Sequence, residues 1–248
     1  MQLFKTKRLN FFINHLFISL FIVCLVVAVV LCLWYPAPLY KAAGVTQIFL
    51  MLLVIDIVLG PLLVLLVYKK EKKTLKFDIG VIIIIQILAL TYGIFNIEKG
   101  RPVWLVYSID RFELIRKNEL IQENLKEAQL QFQKTSWLKP QFVAVEFSKD
   151  KKQRENDMFA EVFSGISIAQ KPERYVDFSY ARPQIQQRAL PFKELESYNS
   201  KAEVQKTLAK YPNANAWLPL KANAIDMVVL INKDTTEIIK IVDLRPWK

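Results

Sequence analysis

Long apolar runs separated by short polar segments occupy the first 97 residues, and shorter strand-like and helix-like periods take over afterwards. Three of the runs reach about 20 residues, the length an α-helix needs to cross a bilayer. They extend from about Leu16 to Tyr35, Gln47 to Tyr68 and Ile79 to Ile97, and none contains Lys or Arg. The pattern predicts three transmembrane helices. A cleaved signal peptide is the alternative for the first run, since Lys5, Lys7 and Arg8 form a basic start. The run is too long for a typical signal, however, and ends in Trp34-Tyr35-Pro36-Ala37-Pro38 with no Ala-x-Ala site. A retained anchor is therefore expected.

After Ile97 the pattern predicts a small α+β domain, so the chain divides at 1–97 and 98–248. Arg101–Ile109 is rich in β-formers, and Arg111–Ile115 continues in the same vein. Asn118–Gln133 has helical composition, with Leu120, Ile121, Leu125 and Ala128 on one side. Gln141–Phe147 alternates like a half-buried strand. Asp150–Ile168 reads as an amphipathic helix carrying Met158, Phe159, Val162, Phe163 and Ile166 at helical spacing, with Gly165 weakening its last turn. Pro172–Pro191 is proline-punctuated and irregular, and a short helix covers Ser200–Lys210. Trp217, Leu218 and Leu220 lead into a terminal hairpin of Ala224–Ile231 and Glu237–Asp243 around Asn232-Lys233-Asp234.

Composition sharpens this division. The chain is 53% hydrophobic and carries a net charge of +11. Its first 97 residues contain only the acids Asp56, Glu71 and Asp78, whereas acids and bases mix freely beyond them. So much apolar surface excludes a disordered chain, and two cysteines exclude a disulfide scaffold. Lys5, Lys7 and Arg8 precede the first run, only Lys41 lies in the next loop, and Lys69, Lys70, Lys72, Lys73 and Lys76 fill the one after. The positive-inside rule then puts the N-terminus and the lysine loop in the cytoplasm, and everything after Ile97 in the periplasm. Trp34, Tyr35 and Tyr40 fall where an outer aromatic belt is expected, and Tyr68 where the inner one is.

Asp56 sits near the middle of the second run, where an ionised carboxylate costs on the order of 2.5–3.5 kcal/mol. A hydrogen bond between protonated Asp56 and Gln86, the amide near the middle of the third run, is the expected solution. Gly60-Pro61 should kink the helix near Ile57. Asp56, Gly60, Pro61 and Gln86 together form a candidate docking face for another protein's helix, since polar and small residues draw helices together in lipid.

Little in the chain points to catalysis. The single histidine, His15, falls at the start of the first run, and both cysteines, Cys24 and Cys32, lie within that run. The outer domain thus lacks thiol nucleophiles, Cys/His metal sites and imidazole acid–base chemistry. Asp150 with Asp157, and Glu194 with Glu196, read as solvated surface rather than carboxylate pairs. Ser136-Trp137-Leu138-Lys139 fits a Ser-x-x-Lys pattern without its partner motif. No catalytic residue, cofactor or metal is expected, and no nucleic acid, because the basic residues are interleaved with acids.

Several stretches carry a family resemblance in order along the chain. They are Trp34-Tyr35-Pro36-Ala37-Pro38-Leu39, Gly44–Phe49, Asp56–Leu63, Lys72–Asp78, Arg101–Val106, Asp110-Arg111-Phe112-Glu113, Trp217-Leu218-Pro219-Leu220 and Asp243–Trp247. On these the chain resembles the TfpX/TfpZ-type, FimB-like accessory proteins of type IV pilins. The resemblance implies a non-enzymatic inner-membrane protein that helps a cognate type IV major pilin accumulate and assemble, as a pilin-specific chaperone. The helices would hold the pilin's membrane helix and the outer domain its head. A membrane-bound sensor, or a subunit that contacts other pilus assembly proteins and not pilin, is the rival.

Overall fold

The computed structural model describes residues 2–69 and 73–248, with residues 2–8, 48, 52, 53 and 56 described only through their backbone. Lys70 and Lys72 of the predicted lysine loop lie outside the described residues. The chain forms two compact units, residues 1–33 with 45–99, and residues 34–44 with 100–248. The second includes a segment, Trp34–Gly44, that the sequence assigns to the membrane region.

The first unit is helical. α1 spans Gln2–Val29 and passes into a π-helical turn, Val30–Trp34. A short helix, α2 (Leu39–Ala42), belongs to the second unit. α3 (Thr46–Leu53), a π-helical stretch (Val54–Leu59) and α4 (Gly60–Val67) follow one another without a break, and α5 runs Leu75–Lys99. Among the described residues, two helices are long and apolar enough to cross a membrane, Leu9–Trp34 and Leu75–Lys99. Only 17% of the most apolar stretch of the first and 6% of that of the second is buried. Neither is the core helix of a soluble fold, which would bury its oily face. The expected kink before Pro61 takes the form of the wide turn Val54–Leu59. Proline has no N–H to give the preceding turn and its ring crowds the carbonyl of Ile57, and a π-bulge absorbs both defects.

The second unit is built on a mixed sheet, seven-stranded among the described residues, ordered β4-β3-β1-β2-β5-β6-β7. The strands are β1 (Pro102–Ser108), β2 (Arg111–Arg116), β3 (Gln141–Val145), β4 (Tyr175–Val176), β5 (Ala216–Lys221), β6 (Met227–Asn232) and β7 (Glu237–Val242). β1 pairs antiparallel with β2 and parallel with β3, and β2 runs parallel to β5. Pro219 sits in the interior strand β5. It is tolerated because the β2–β5 ladder pairs only Phe112 with Leu220 and Glu113 with Lys221, beyond the proline.

The sheet packs on both faces. One carries two clusters, Trp104, Val106, Phe132, Val143 and Tyr175 in the first and Leu195, Val204, Trp217, Leu230 and Leu244 in the second. The rings of Trp104, Phe132 and Tyr175 meet edge-on, with centroids 5.5–5.9 Å apart. Trp217 Nε1 donates to the Pro191 carbonyl at 3.0 Å, which satisfies its one donor. On the other face Pro36, Pro38 and Leu39 lie over Leu105, Phe142 and Ile241. The Trp34–Gly44 strap is fastened there by Ala224 N–H to Ala42 O at 2.9 Å and by Lys41 Nζ to Asp243 Oδ2 at 2.8 Å.

Helices α6 (Lys151–Ser164), α7 (Arg182–Arg188) and α8 (Lys201–Leu208) decorate the sheet. α6 and α8 match the predicted helices, and β6–β7 the predicted hairpin. Gly165 does not weaken α6 but ends it, in the left-handed conformation at φ 66°. The expected helix at Asn118–Gln133 is absent; the segment forms three separate 3₁₀ turns. Local side-chain bonds compete with the helix there. Glu119 accepts from the Arg116 backbone N–H, and Gln133 Nε2 donates to the Ala128 carbonyl. Ile121 N–H is meanwhile drawn to Gln170 O. Conversely, α7 arises inside the proline-punctuated stretch, with Pro183 in its first turn, where a missing N–H costs nothing.

Candidate functional site

Ser136, Asp150 and Asp157, weighed for catalysis in the sequence, are held in a turn, a helix cap and an ion cluster. Ser136 Oγ accepts from the Leu138 N–H at 3.2 Å, closing a turn. Asp150 caps α6 by accepting from Lys152 and Gln153 N–H. Asp157 is salt-bridged to Lys171 and Arg174 and does not face Asp150. Among the described residues, the first unit presents a polar seam between helices, and the second an exposed apolar helix face.

The seam lies in the first unit, where α4 packs against α1 and α5. Gly60, Pro61 and Val64 are its buried residues on α4. Gln86 of α5 lies against Gly60 so closely that a Cβ there would stand 1.8 Å from the amide nitrogen. The amide oxygen of Gln86 accepts from His15 Nε2 of α1 at 2.9 Å. One side chain therefore ties three helices, and Gly60 is the notch that admits it. Of the four residues expected to form a docking face, Gly60, Pro61 and Gln86 are brought together, but inward-facing and engaged. Asp56 occupies the π-helical turn one residue row before Gly60; its expected bond to Gln86 lies outside the described residues. His15 is the member that sequence reasoning missed. α1 begins at Gln2, so His15 is inside the helix rather than at its start. A lone imidazole at the edge of an apolar run was the available signal.

The apolar face belongs to α6. Met158, Phe159, Val162 and Phe163 are 63%, 61%, 75% and 78% exposed, and the rings of Phe159 and Phe163 stack at 5.7 Å. Their helical spacing suggests a core-facing stripe, yet the helix is turned the other way. Asp157 is the one buried residue of α6, and it orients the helix. Lys171 Nζ reaches its Oδ1 at 2.6 Å and Arg174 Nε its Oδ2 at 2.8 Å, with all three side chains nearly buried. Burial alone would raise the Asp157 pKa, but these two hydrogen bonds and charges hold it below the usual value. Both helix ends are closed as well. Asp150 caps the start, and at the finish Ile166 N–H bonds to Ala160 O and Gly165 N–H to Glu161 O. The face is rigid, apolar and held out to solvent.

Residues 4–44, which are α1 together with the strap, match the family model described as Fimbrial assembly protein FimB. Among relatives from Dichelobacter nodosus, the fimbrial assembly protein of serogroup I is 28% identical over 229 residues, 89% of each chain. That of serogroups C1 and C2 is 31% identical over 116 residues, which are 46% of this chain and 88% of the relative. The chain belongs to the FimB fimbrial assembly family. No solved structure matches it. Within this FimB-family protein, the part that the family model matches is the helix bearing His15 and the strap laid across the sheet. The α6 face lies outside that part.

Proposed function

We propose that this FimB-family protein is a pilin-holding accessory factor of pilus assembly, without catalytic chemistry of its own. A role in pilus biogenesis is supported by the family and by the relatives' description as fimbrial assembly proteins. In this reading Leu9–Trp34, Thr46–Val67 and Leu75–Lys99 cross the bacterial inner membrane, the lysine loop is cytoplasmic and the sheet unit periplasmic. Support comes from the exposure of most of the described large apolar side chains on α1 and α5, which lipid or another helix would satisfy.

A cognate type IV major pilin is the partner proposed, with its membrane helix against the bundle and its head against the sheet unit. The observation that carries this reading is the α6 face, four large apolar side chains fixed outward in a domain whose other apolar residues mostly fill a core. For the membrane helix, the exposed residues Val54, Val58 and Leu59 on the turn around Asp56 are the proposed contact. Gly60, Pro61 and Gln86 act behind it by fixing the bundle. Photo-crosslinkers placed at Phe163 and at Val58 in native membranes test both halves. Capture of pilin at both positions is expected. Capture only of other pilus assembly proteins would favour the sensor or machine-subunit role, and capture only of lipid at Val58 would remove the helix contact.

A further inference from the structure

Two of the aromatic residues that the sequence assigns to an outer belt are covered by protein. Trp34 and Tyr35 are 4% and 1% exposed, folded into the sheet unit. Trp34 nevertheless closes the apolar helical run that begins at Leu9. Its indole N–H donates to the Trp137 carbonyl at 3.1 Å, and the two rings meet edge to face with centroids 5.9 Å apart. On the reading that Leu9–Trp34 spans the bilayer, Trp34 marks the level at which the chain leaves the hydrocarbon. The interfacial layer beyond the hydrocarbon is about 5–8 Å thick on each side. A ring in contact with Trp34 cannot lie far outside it.

Trp137 and the next residue, Leu138, are 60% and 50% exposed, and Lys134 and Lys139 on either side are exposed too. An aromatic ring and an aliphatic side chain between two cations are what the boundary zone favours. The indole sits at headgroup level, the leucine reaches toward the acyl chains, and the ammonium groups meet lipid phosphates. The turn is fixed by the Leu138 N–H bond to Ser136 Oγ and by Pro140 behind it, so the pair is presented without ordering a flexible loop.

We infer that Trp137 and Leu138, with Lys134 and Lys139, form a lipid-interface anchor that seats the sheet unit on the membrane surface. This rests on the membrane-spanning reading above, and the occupant is lipid because the site is chained to the end of a span through Trp34. A protein partner would have no such reason to be at that level.

Site-directed spin labelling in liposomes containing phosphatidylglycerol separates the two readings. Native Cys24, exposed on α1, serves as the depth control once Cys32→Ala is made. Leu138→Cys tests the anchor in a chain that also carries Cys24→Ala and Cys32→Ala. Tyr180→Cys in the same background is the aqueous control. Tyr180 adjoins Tyr107, toward the end of β1 opposite Trp104, whose ladder partner Gln141 follows the Trp137–Leu138 turn. The readout is the accessibility of each label to oxygen relative to a nickel chelate. The anchor predicts a ratio at Leu138 severalfold above that at Tyr180 and below that at Cys24. A ratio at Leu138 equal to that at Tyr180, with Cys24 deep, overturns the anchor and leaves the spanning helix standing. So does a Leu138 label shielded from both reagents, since that means protein covers it. A water-exposed label at Cys24 sinks the spanning reading and the anchor together.

Discussion

α5 and β1 are neighbours in the chain, separated by two residues, and both are dominated by Ile, Val, Leu and aromatic side chains. Every residue of β1 is buried, while in α5 only Ile82 and Ile97 are. Equal chemistry thus ends in opposite environments. In the sheet unit, burial itself is the driving force, about 25 cal/mol for each Å² of apolar surface removed from water. On the proposed membrane-spanning reading, that force between helices is nearly absent for α5, because acyl chains are as apolar as leucine. What then holds α5 to its neighbours is close approach and hydrogen bonding, the Gln86 amide in the Gly60 notch and its bond to His15. The two units should therefore respond to different kinds of mutation.

The largest effect is expected from emptying the sheet core. Trp104→Ala should cost about 3–5 kcal/mol, because a large ring packed against Phe132 and Tyr175 leaves a cavity. Leu88→Ala on α5, 64% exposed, should change stability by a few tenths of that at most. Thermal unfolding of the full-length protein in detergent or liposomes, followed by protease resistance, compares them. Similar losses for both would mean that α5 is a core helix after all.

Next in size is Asp157→Asn, which leaves Lys171 and Arg174 facing each other without a counter-charge. Removing one partner of a buried ion pair costs about 3 kcal/mol or more, and the low end suits a site at the edge of the domain. The pH dependence has a definite sign. The folded carboxyl is held below its ordinary value of 3.8, so its contribution is present above that value. It is lost as pH falls through the lower, folded-state value. Glu113 opposes this, since burial raises its pKa despite the bond from Ser167, so its protonation on acidification relieves a penalty. Unfolding of wild type and Asp157→Asn should therefore converge as pH falls below 3.8, and a constant gap between them would contradict the assignment.

The seam in the first unit gives a smaller effect of a different kind. Gly60→Ala drives a Cβ into the Gln86 amide, and overpacking of this sort costs about 1–3 kcal/mol. Gln86→Ala alone forfeits the bond to His15, about 1 kcal/mol. Combining them should recover part of the loss, because the second change empties the space the first one fills. Strict additivity would place Gly60 and Gln86 apart.

How far the sequence reveals these features depends on the range of the forces behind them. Although Gly165 ends α6 where the sequence expected it to weaken the last turn, and the Asp150 cap went unread, the extent of α6 and the β6–β7 hairpin are local, and each was legible. The strap was not. Pro36, Ala37, Pro38 and Ala42 read as a loop between two spans, and only the distant partners Trp137, Ala224 and Asp243 make them part of the sheet unit. Helical spacing at Asn118–Gln133 was overridden in the same way by Gln170 O, which lies far along the chain. In the candidate site, the sequence paired Gln86 with Asp56 and grouped Gly60 with them, whereas the packing of Gln86 on Gly60 and its bond to His15 needed the register of α1 and α4 against α5. The orientation of α6 was beyond reach, since an amphipathic pattern does not say which side meets the protein. That choice is made by Asp157, whose partners Lys171 and Arg174 come after the helix has ended.

Phe163→Ser tests what this orientation is for, and it should have the smallest effect on stability of any change considered. The side chain is 78% exposed and touches chiefly the ring of Phe159, so little burial is lost and unfolding should shift by no more than about 0.5 kcal/mol. Its effect on partner capture should be large, because a central aromatic anchor in an interface often carries 2 kcal/mol or more. Recovery of pilin with the affinity-tagged full-length variant from native membranes should fall by at least about tenfold relative to wild type. Lys210→Ser, on the exposed surface after α8, is the matched control and should leave recovery unchanged. An unaltered yield of pilin with Phe163→Ser would mean that the outward face of α6 serves some other contact. A matching loss with Asp157→Asn, under conditions where that variant is still folded, would show that the ion cluster acts by aiming the helix.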